Sequence, residues 1–164
     1  MPRPALIVVH PGSLAAHAGT QALDDAICEI EAHDGPIIII DGYLSDKVRP
    51  FDKRIQSAFS DAEGKGEFVA RLWGCDAGES PFAAWQGYVS PGVAVDIVHE
   101  CQETAAKWIA PILRSRDVVL SGAWASHSGN TGCVNSVLDA LTEGGWRKEA
   151  TFSDNVIYEE DMEV

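Results

Sequence analysis

The stretch VVLSGAWASHSGNTGCVNSVLDAL at positions 118–141 decides the fold expected for this chain. It begins as an apolar run typical of a buried strand, breaks into small and polar residues, and continues as a helix whose first turn carries Cys133. A strand, a polar turn and a helix N-terminus bearing a thiol are the parts of a ligand site. A site is therefore expected here, with the other elements arranged around it.

Four further segments are predicted to form strands that would join 118–120 in one sheet. ALIVV at 5–9 and IIII at 37–40 are apolar on both faces, which is typical of a parallel sheet covered on both sides. The other two predicted strands are 67–73 and 146–152.

Helices are predicted between these strands. The first ends near Ala32 and begins at Ser13 or, because Gly19 weakens it, at Thr20. Further helices are predicted at 51–62, at 93–113, and from about Thr131 to the Gly144-Gly145 stop. The acidic tail from about residue 158 is expected either to be loosely ordered or to pack on another subunit of a homo-oligomer.

Strands and helices that alternate over the whole length predict one α/β domain, 1–164. Right-handed crossovers would place helices on both faces of the sheet. The expected architecture is a three-layer α/β/α fold with a mainly parallel, Rossmann-like sheet of five to six strands.

The net charge of the chain argues against two classes of binding partner, nucleic acids and anionic membranes. The chain has 164 residues, 46% of them hydrophobic, and a formal net charge of -13. Nucleic acids and anionic membranes attract positively charged proteins, so neither is expected as a partner, whereas a small molecule is. No signal or membrane-spanning segment is apparent, which predicts a reduced, cytoplasmic protein.

The four cysteines are too far apart for a CxxC metal or redox motif. Cys28 and Cys101 are expected inside helices as small buried residues. No cofactor is predicted.

In a parallel α/β sheet, ligands bind beyond the carboxyl ends of the strands, where the strand order reverses. Strand ends supply His10, Asp41 and the pair Cys75-Asp76, while the strand at 118–120 leads into the loop that precedes Cys133. If that strand neighbours the strand at 5–9, His10 and Cys133 flank one crevice.

Cys133 is the predicted nucleophile. A thiol in the first turn of a helix lies near the positive end of the helix dipole, which lowers its pKa and favours the thiolate. His10 would be its base or cationic partner, and Asp41 would orient His10 or bind substrate. The alternatives are a small packed residue for Cys133, a hydrogen-bonded polar residue at a strand end for His10, and a turn residue for Asp41.

The loop before Cys133 supports a second interpretation, because glycines and hydroxyls at a helix N-terminus can hold a phosphate or carboxylate. Simple helix capping by Asn130 or Thr131 is the alternative. Convergence of His10, Asp41, His127 and Cys133 on a metal ion is a third interpretation, but their spacing matches no metal motif, and no metal is predicted. The predicted ligand-binding residues are Gly12, Trp124, His127, Ser128, Asn130, Thr131 and Gly132.

The same stretch resembles the fourth strand and nucleophile helix of the isochorismatase-like cysteine hydrolases. In that family an apolar strand reaches a Gly, and after a short loop a Cys-Val pair opens a helix with an Asp-Ala near its end. The matching residues are Gly122, Cys133, Val134, Asp139 and Ala140, with Phe152-Ser153-Asp154 where the family enters its next strand end.

The resemblance covers about a quarter of the chain and implies an α/β fold and hydrolysis through a Cys nucleophile. The family's triad also contains an Asp at the end of strand one and a Lys after a later strand. Here His10 stands at the first position, no Lys matches the second, and the loop before Cys133 is longer. A divergent hydrolase with a Cys-His pair is thus one hypothesis; the others are a non-catalytic module that binds an anionic ligand, and a structural subunit.

Overall fold

Strands and helices alternate in the computed structural model, which describes residues 3–11, 14, 18–41, 49–62, 69–74, 94–99, 102–113, 115–129 and 131–162. The helices are α1 (Thr20–Ala32), α2 (Arg49–Ala62), α3 (Gln102–Ile109) and α4 (Cys133–Glu143). A 3-10 helix spans Glu159–Met162. The strands are β1 (Ala5–Val9), β2 (Ile37–Asp41), β3 (Val69–Gly74), β4 (Ala94–His99), β5 (Val118–Ala125), β6 (Ala150–Phe152) and β7 (Ile157–Tyr158).

The sheet runs in the order β4-β3-β2-β1-β5-β6, and β7 pairs with β5 off this path. All of these pairings are parallel. The predicted α/β class with a mainly parallel sheet is confirmed.

Two hydrophobic cores use alternate residues of β1. Ala5, Ile7 and Val9 pack with α3 and α4, whereas Leu6 and Val8 pack with α1 and α2. Because successive strand residues point to opposite faces, helices cover the central strand from both sides. The uninterrupted apolar runs at 5–9 and 37–40 follow from this, since both faces are buried.

The helix predicted at 93–113 is wrong in its first part, because Ala94–His99 forms strand β4 along β3. Val95, Ile97 and Val98 are β-branched, and pairing with β3 prevails over the helical spacing that this segment shares with α3. The strand predicted at 146–152 is also too long. Trp146 instead lies buried after α4 and donates its indole N–H to the Arg116 carbonyl at 2.8 Å.

Other boundaries are refined. The first helix begins at Thr20, the later of the two predicted starts, and Cys28 lies in it as an exposed free thiol rather than a buried one. Cys101 lies outside the described residues. Of the two alternatives predicted for the tail, loose order is wrong, because the segment forms β7 and the 3-10 helix and packs on β5 of its own chain. Packing on another subunit stays a prediction.

Among the described residues, no helix has both the length and the apolarity needed to cross a membrane.

Candidate functional site

The strand order reverses between β1 and β5. From β1 the chain builds the sheet outward through β2, β3 and β4 on one side, and β5 and β6 lie on the other. Val9 pairs with Gly122 near the carboxyl end of β1. The residue after β1 and the connection after β5 therefore share the crevice in which such sheets bind ligands.

Cys133 is the first residue of α4, and Gly132 fixes how that helix meets β5. Gly132 has φ 93° and ψ 145°, a conformation open only to glycine. A Cβ at this position would lie 2.4 Å from the Trp124 carbonyl oxygen. Only a glycine therefore lets the start of α4 approach β5 this closely, which holds the thiol against the sheet.

A buried side chain ties the connection back to the helix. Asn135, in the first turn of α4, accepts the Ser126 N–H on Oδ1 at 2.7 Å. Both residues are buried, so the bond is shielded from water. The residue that follows β5 and the first turn of α4 are thus joined independently of the loop between them.

The half-buried Cys133 thiol contacts three donors. A hydrogen bond from the His10 side chain is the main cause that lowers its pKa, against the opposing effect of burial. The charge of His10, a hydrogen bond from the Gln102 side chain and one from the Trp124 backbone lower this pKa further. The thiol is therefore biased toward the thiolate, the reactive form of cysteine.

His10 reaches the thiol from an unusual backbone conformation. Its φ is 51°, in the left-handed region, and its N–H donates to the Ile40 carbonyl at 2.7 Å. A non-glycine residue in this region costs about 1–2 kcal/mol, and such conformations cluster at functional sites. The surroundings of β1 and β2 hold the imidazole where extended backbone would not place it.

Several of the other predicted site residues lie outside the described part of the structure, and one lies in a strand and not in the loop. Asp41 ends β2, with its backbone paired to Trp73 of β3, but its side chain lies outside the described part of the structure. Gly12, Asn130 and the pair Cys75-Asp76 also lie outside it. Trp124, predicted in the loop, instead belongs to β5, and the Ala123–Trp124 peptide bond is cis.

The predicted anion loop already holds carboxylates of the same chain. Glu160 accepts hydrogen bonds from the Ser126 hydroxyl and the His127 N–H, each at 3.0 Å. Desolvation raises the pKa of this exposed carboxyl, but hydrogen bonds from its own backbone, from Ser126 and from His127 hold the pKa below its usual value. Glu159 accepts the Thr131 hydroxyl. Ser128 pairs with the Ser126 hydroxyl at 2.7 Å.

His127 contacts the tail through its ring. The imidazole stacks on Tyr158, with ring centroids 3.9 Å apart and an interplanar angle of 10°. Its Nε2 also lies 3.7 Å from a carboxylate oxygen of Asp161. In the described structure His127 therefore joins the loop to the tail, whereas His10 contacts the thiol.

Two features of the site were missed by sequence analysis. Gln102 was assigned to the interior of a long helix, although it is the first residue of α3 and contacts the thiol. For the acidic tail the sequence predicts either loose order or packing on another subunit, whereas its carboxylates bind the loop of the same chain. Recognising β4 as a strand would have placed Gln102 at a strand-to-helix connection, and nothing in the tail's composition indicated its partner.

A concave region lies beside the helices that pack on the other hydrophobic core. It is an open groove of about 560 Å³ between α1 and α2, which pack on the core opposite to that contacted by Cys133. Charged side chains from both helices line it, including Glu31, Lys53 and Asp61. None of the residues that line it belongs to the predicted site.

Within the described residues, no three His, Cys, Asp or Glu side chains are grouped so that they could hold a metal ion.

Comparisons of this chain with protein-family models, with curated proteins and with solved structures return no significant match.

Proposed function

We propose that the protein is a small-molecule hydrolase in which Cys133 attacks an amide or ester carbonyl and His10 transfers the proton. The observation that carries this proposal is the hydrogen bond between His10 and a half-buried thiol at the start of α4. A nucleophile needs a base or cationic partner within hydrogen-bonding reach, and His10 meets that condition.

The surroundings favour an ion pair of thiolate and imidazolium. The positive end of the α4 dipole stabilises the thiolate, and the Gln102 side chain donates a further hydrogen bond to it. In such a pair the thiolate is the nucleophile, and the imidazolium is the acid that protonates the leaving group.

The proposed reaction has two stages. The Cys133 thiolate forms a bond to the carbonyl carbon, the C=O electron pair moves onto oxygen, and the imidazolium of His10 protonates the departing amine or alcohol as its bond to carbon breaks. Neutral His10 then takes a proton from water, whose oxygen attacks the thioester. The carboxylic acid leaves as the C–S bond breaks, and the thiolate is restored.

The oxyanion donors in this proposal are the backbone N–H groups of Gly132 and Cys133. The first N–H groups of a helix lack carbonyl partners within it, and Gly132 has no side chain with which to cap them. Preorganised donors of this kind stabilise the charge that develops on the carbonyl oxygen.

The family resemblance adds a specific form of the proposal. In the isochorismatase-like hydrolases an Asp ends strand one, and here His10 follows β1 and contacts Cys133. We propose a divergent relative in which this Cys-His pair replaces the family's Asp-Lys-Cys triad, with Asp41 orienting His10 or the substrate. Cys28 and Cys133 are free thiols, which fits the reducing cytoplasm as its location.

The test is alkylation of Cys133 by iodoacetamide as a function of pH, resolved by peptide mass spectrometry. The wild-type rate should titrate below the range of an ordinary thiol. His10→Ala should raise the midpoint most, and Gln102→Leu should raise it less, because the His10 hydrogen bond is the larger influence. Cys28, exposed on α1, serves as the reference thiol in every sample.

Substrate turnover completes the test. A panel of p-nitrophenyl esters and anilides should give an acyl adduct on Cys133, visible by mass, and release of product that is lost in Cys133→Ser. A Cys133 that titrates like an ordinary thiol, or that forms no adduct with any member of the panel, would contradict the proposal.

A non-catalytic module that binds a small anion is the second candidate, because the loop after β5 holds the carboxylate of Glu160. An external carboxylate or phosphate would have to displace Glu160. Anions that raise the melting temperature of wild type and Cys133→Ser equally, and of Glu160→Gln more, would favour this function.

A further inference from the structure

The C-terminal segment 157–161, here termed the clasp, binds the connection that leads from β5 to Cys133. Its strand part pairs with β5, with Ile157 beside Ala123 and Tyr158 beside Ala125. Its helical part presents Glu160 to the Ser126 hydroxyl and the His127 N–H. The clasp thus contacts both the last residues of β5 and the first residues of the connection.

Two routes lead from the clasp to the thiol. Ser126, held through its hydroxyl by Glu160, is held through its N–H by Asn135, two residues from Cys133 on α4. The second route is shorter, because the residues of β5 paired with the clasp flank Trp124, whose backbone hydrogen-bonds to the thiol. A shift of the clasp would therefore move both a donor to the thiol and the helix that carries it.

We propose that Glu160 is a positioning residue for Cys133, which keeps the thiol aligned with His10 and Gln102 by holding Ser126 and His127. The inference rests on the proposed function only in taking Cys133 as the reactive group. Glu160 itself does not touch the reacting atoms. It acts through the backbone of the connection.

Positioning and simple charge act on the thiol in opposite directions. A carboxylate near a thiol disfavours the thiolate, so removing its charge alone would lower the pKa of Cys133. If Glu160 instead aligns the thiol with its donors, removing it weakens those hydrogen bonds and raises the pKa. The sign of the change therefore separates the two effects.

The experiment measures iodoacetamide alkylation of Cys133 against pH in Glu160→Gln, Glu160→Asp and Glu149→Gln. Iodoacetamide is neutral, so the net charge of the protein does not bias its approach. Glu149 is exposed and its replacement makes the same change of charge, so it is the matched control. For Glu160→Gln the midpoint should rise by about 0.5 pH unit, which lowers the alkylation rate roughly threefold at pH values well below the midpoint.

Glu160→Asp keeps the carboxylate and should recover part of the loss, and Glu149→Gln should leave the midpoint at the wild-type value. An unchanged or lowered midpoint in Glu160→Gln would overturn the proposal. If that variant does not fold, Ser126→Ala removes the hydroxyl that Glu160 accepts and should raise the midpoint in the same way. If Glu160→Gln leaves the alkylation midpoint of Cys133 unchanged while wild type turns over the ester and anilide panel, the positioning role of Glu160 is refuted and the proposed hydrolase is not. If the midpoint shifts but wild type turns over no member of the panel, the hydrolase is refuted and the positioning role is not.

Discussion

Two helices of this molecule begin with the same backbone conformation but differ in what their first residues contact. Both α1 and α4 start after a glycine, Gly19 with φ 99° and ψ 160°, and Gly132 with φ 93° and ψ 145°, and neither has a side-chain cap. A Cβ at Gly19 would meet nothing within 4 Å, whereas one at Gly132 would lie 2.4 Å from the Trp124 carbonyl oxygen.

The difference shows that backbone conformation alone does not make a site. At Gly19 the glycine only allows the turn into α1. At Gly132 it also brings the helix into direct contact with β5, where the thiol at the next position meets the Trp124 backbone and His10. The close packing, which the start of α1 lacks, gives the Cys133 thiol a fixed position against β5.

Replacing each glycine by alanine should give the largest contrast. Both variants incur the strain of a side chain at positive φ, about 1–3 kcal/mol. Gly132→Ala also forces a backbone clash, so it should cost about 1–3 kcal/mol more than Gly19→Ala. Urea denaturation of the two variants measures this difference.

The alkylation midpoint of Cys133 is the second measurement on these two glycine variants. Gly132→Ala should raise the alkylation midpoint of Cys133, and Gly19→Ala should leave it at the wild-type value. Equal losses of stability, with Cys133 unaffected in both, would show that the close packing at Gly132 has no functional consequence.

The sequence predicted the parts of the molecule that depend on local pattern. Apolar runs such as 5–9 and 37–40 are recognisable because both faces of those strands are buried, and the thiol at the start of α4 follows from a strand, glycine and helix in succession. The adjacency of β1 and β5, expected from common topology, is present in the structure.

What depends on contacts between distant residues could not be predicted. Gln102 reaches the thiol only because Ala94–His99 forms an edge strand along β3, a pairing that outweighs the helical spacing of the same residues. Glu160 meets Ser126 across 34 positions of sequence, through hydrogen bonds that leave no periodic pattern. Both contacts result from packing.

A smaller effect is expected from the polar residues that follow the two glycines. Asn135 of α4 accepts a buried N–H, and Asn135→Ala would leave that donor unpaired, at a cost of about 1–3 kcal/mol. Gln21 of α1 makes an exposed bond to Asp25, and Gln21→Ala should cost only about 0.2–0.5 kcal/mol. Thermal or urea unfolding distinguishes them, and comparable losses would mean that Asn135 does not anchor the connection after β5.

The smallest expected difference in stability concerns His10. At this position the strain comes from the backbone conformation, whereas at Gly132 it also comes from a clash of the added Cβ. At φ 51° an alanine retains the strain of a side chain, whereas glycine relieves it. His10→Gly should therefore be about 1 kcal/mol more stable than His10→Ala, while both should lose the lowered alkylation midpoint equally, because both lack the imidazole. If the alanine variant were as stable as the glycine variant, the backbone at this position would relax when the imidazole is removed. The left-handed conformation would then be a result of the hydrogen bond to Cys133 and not its cause.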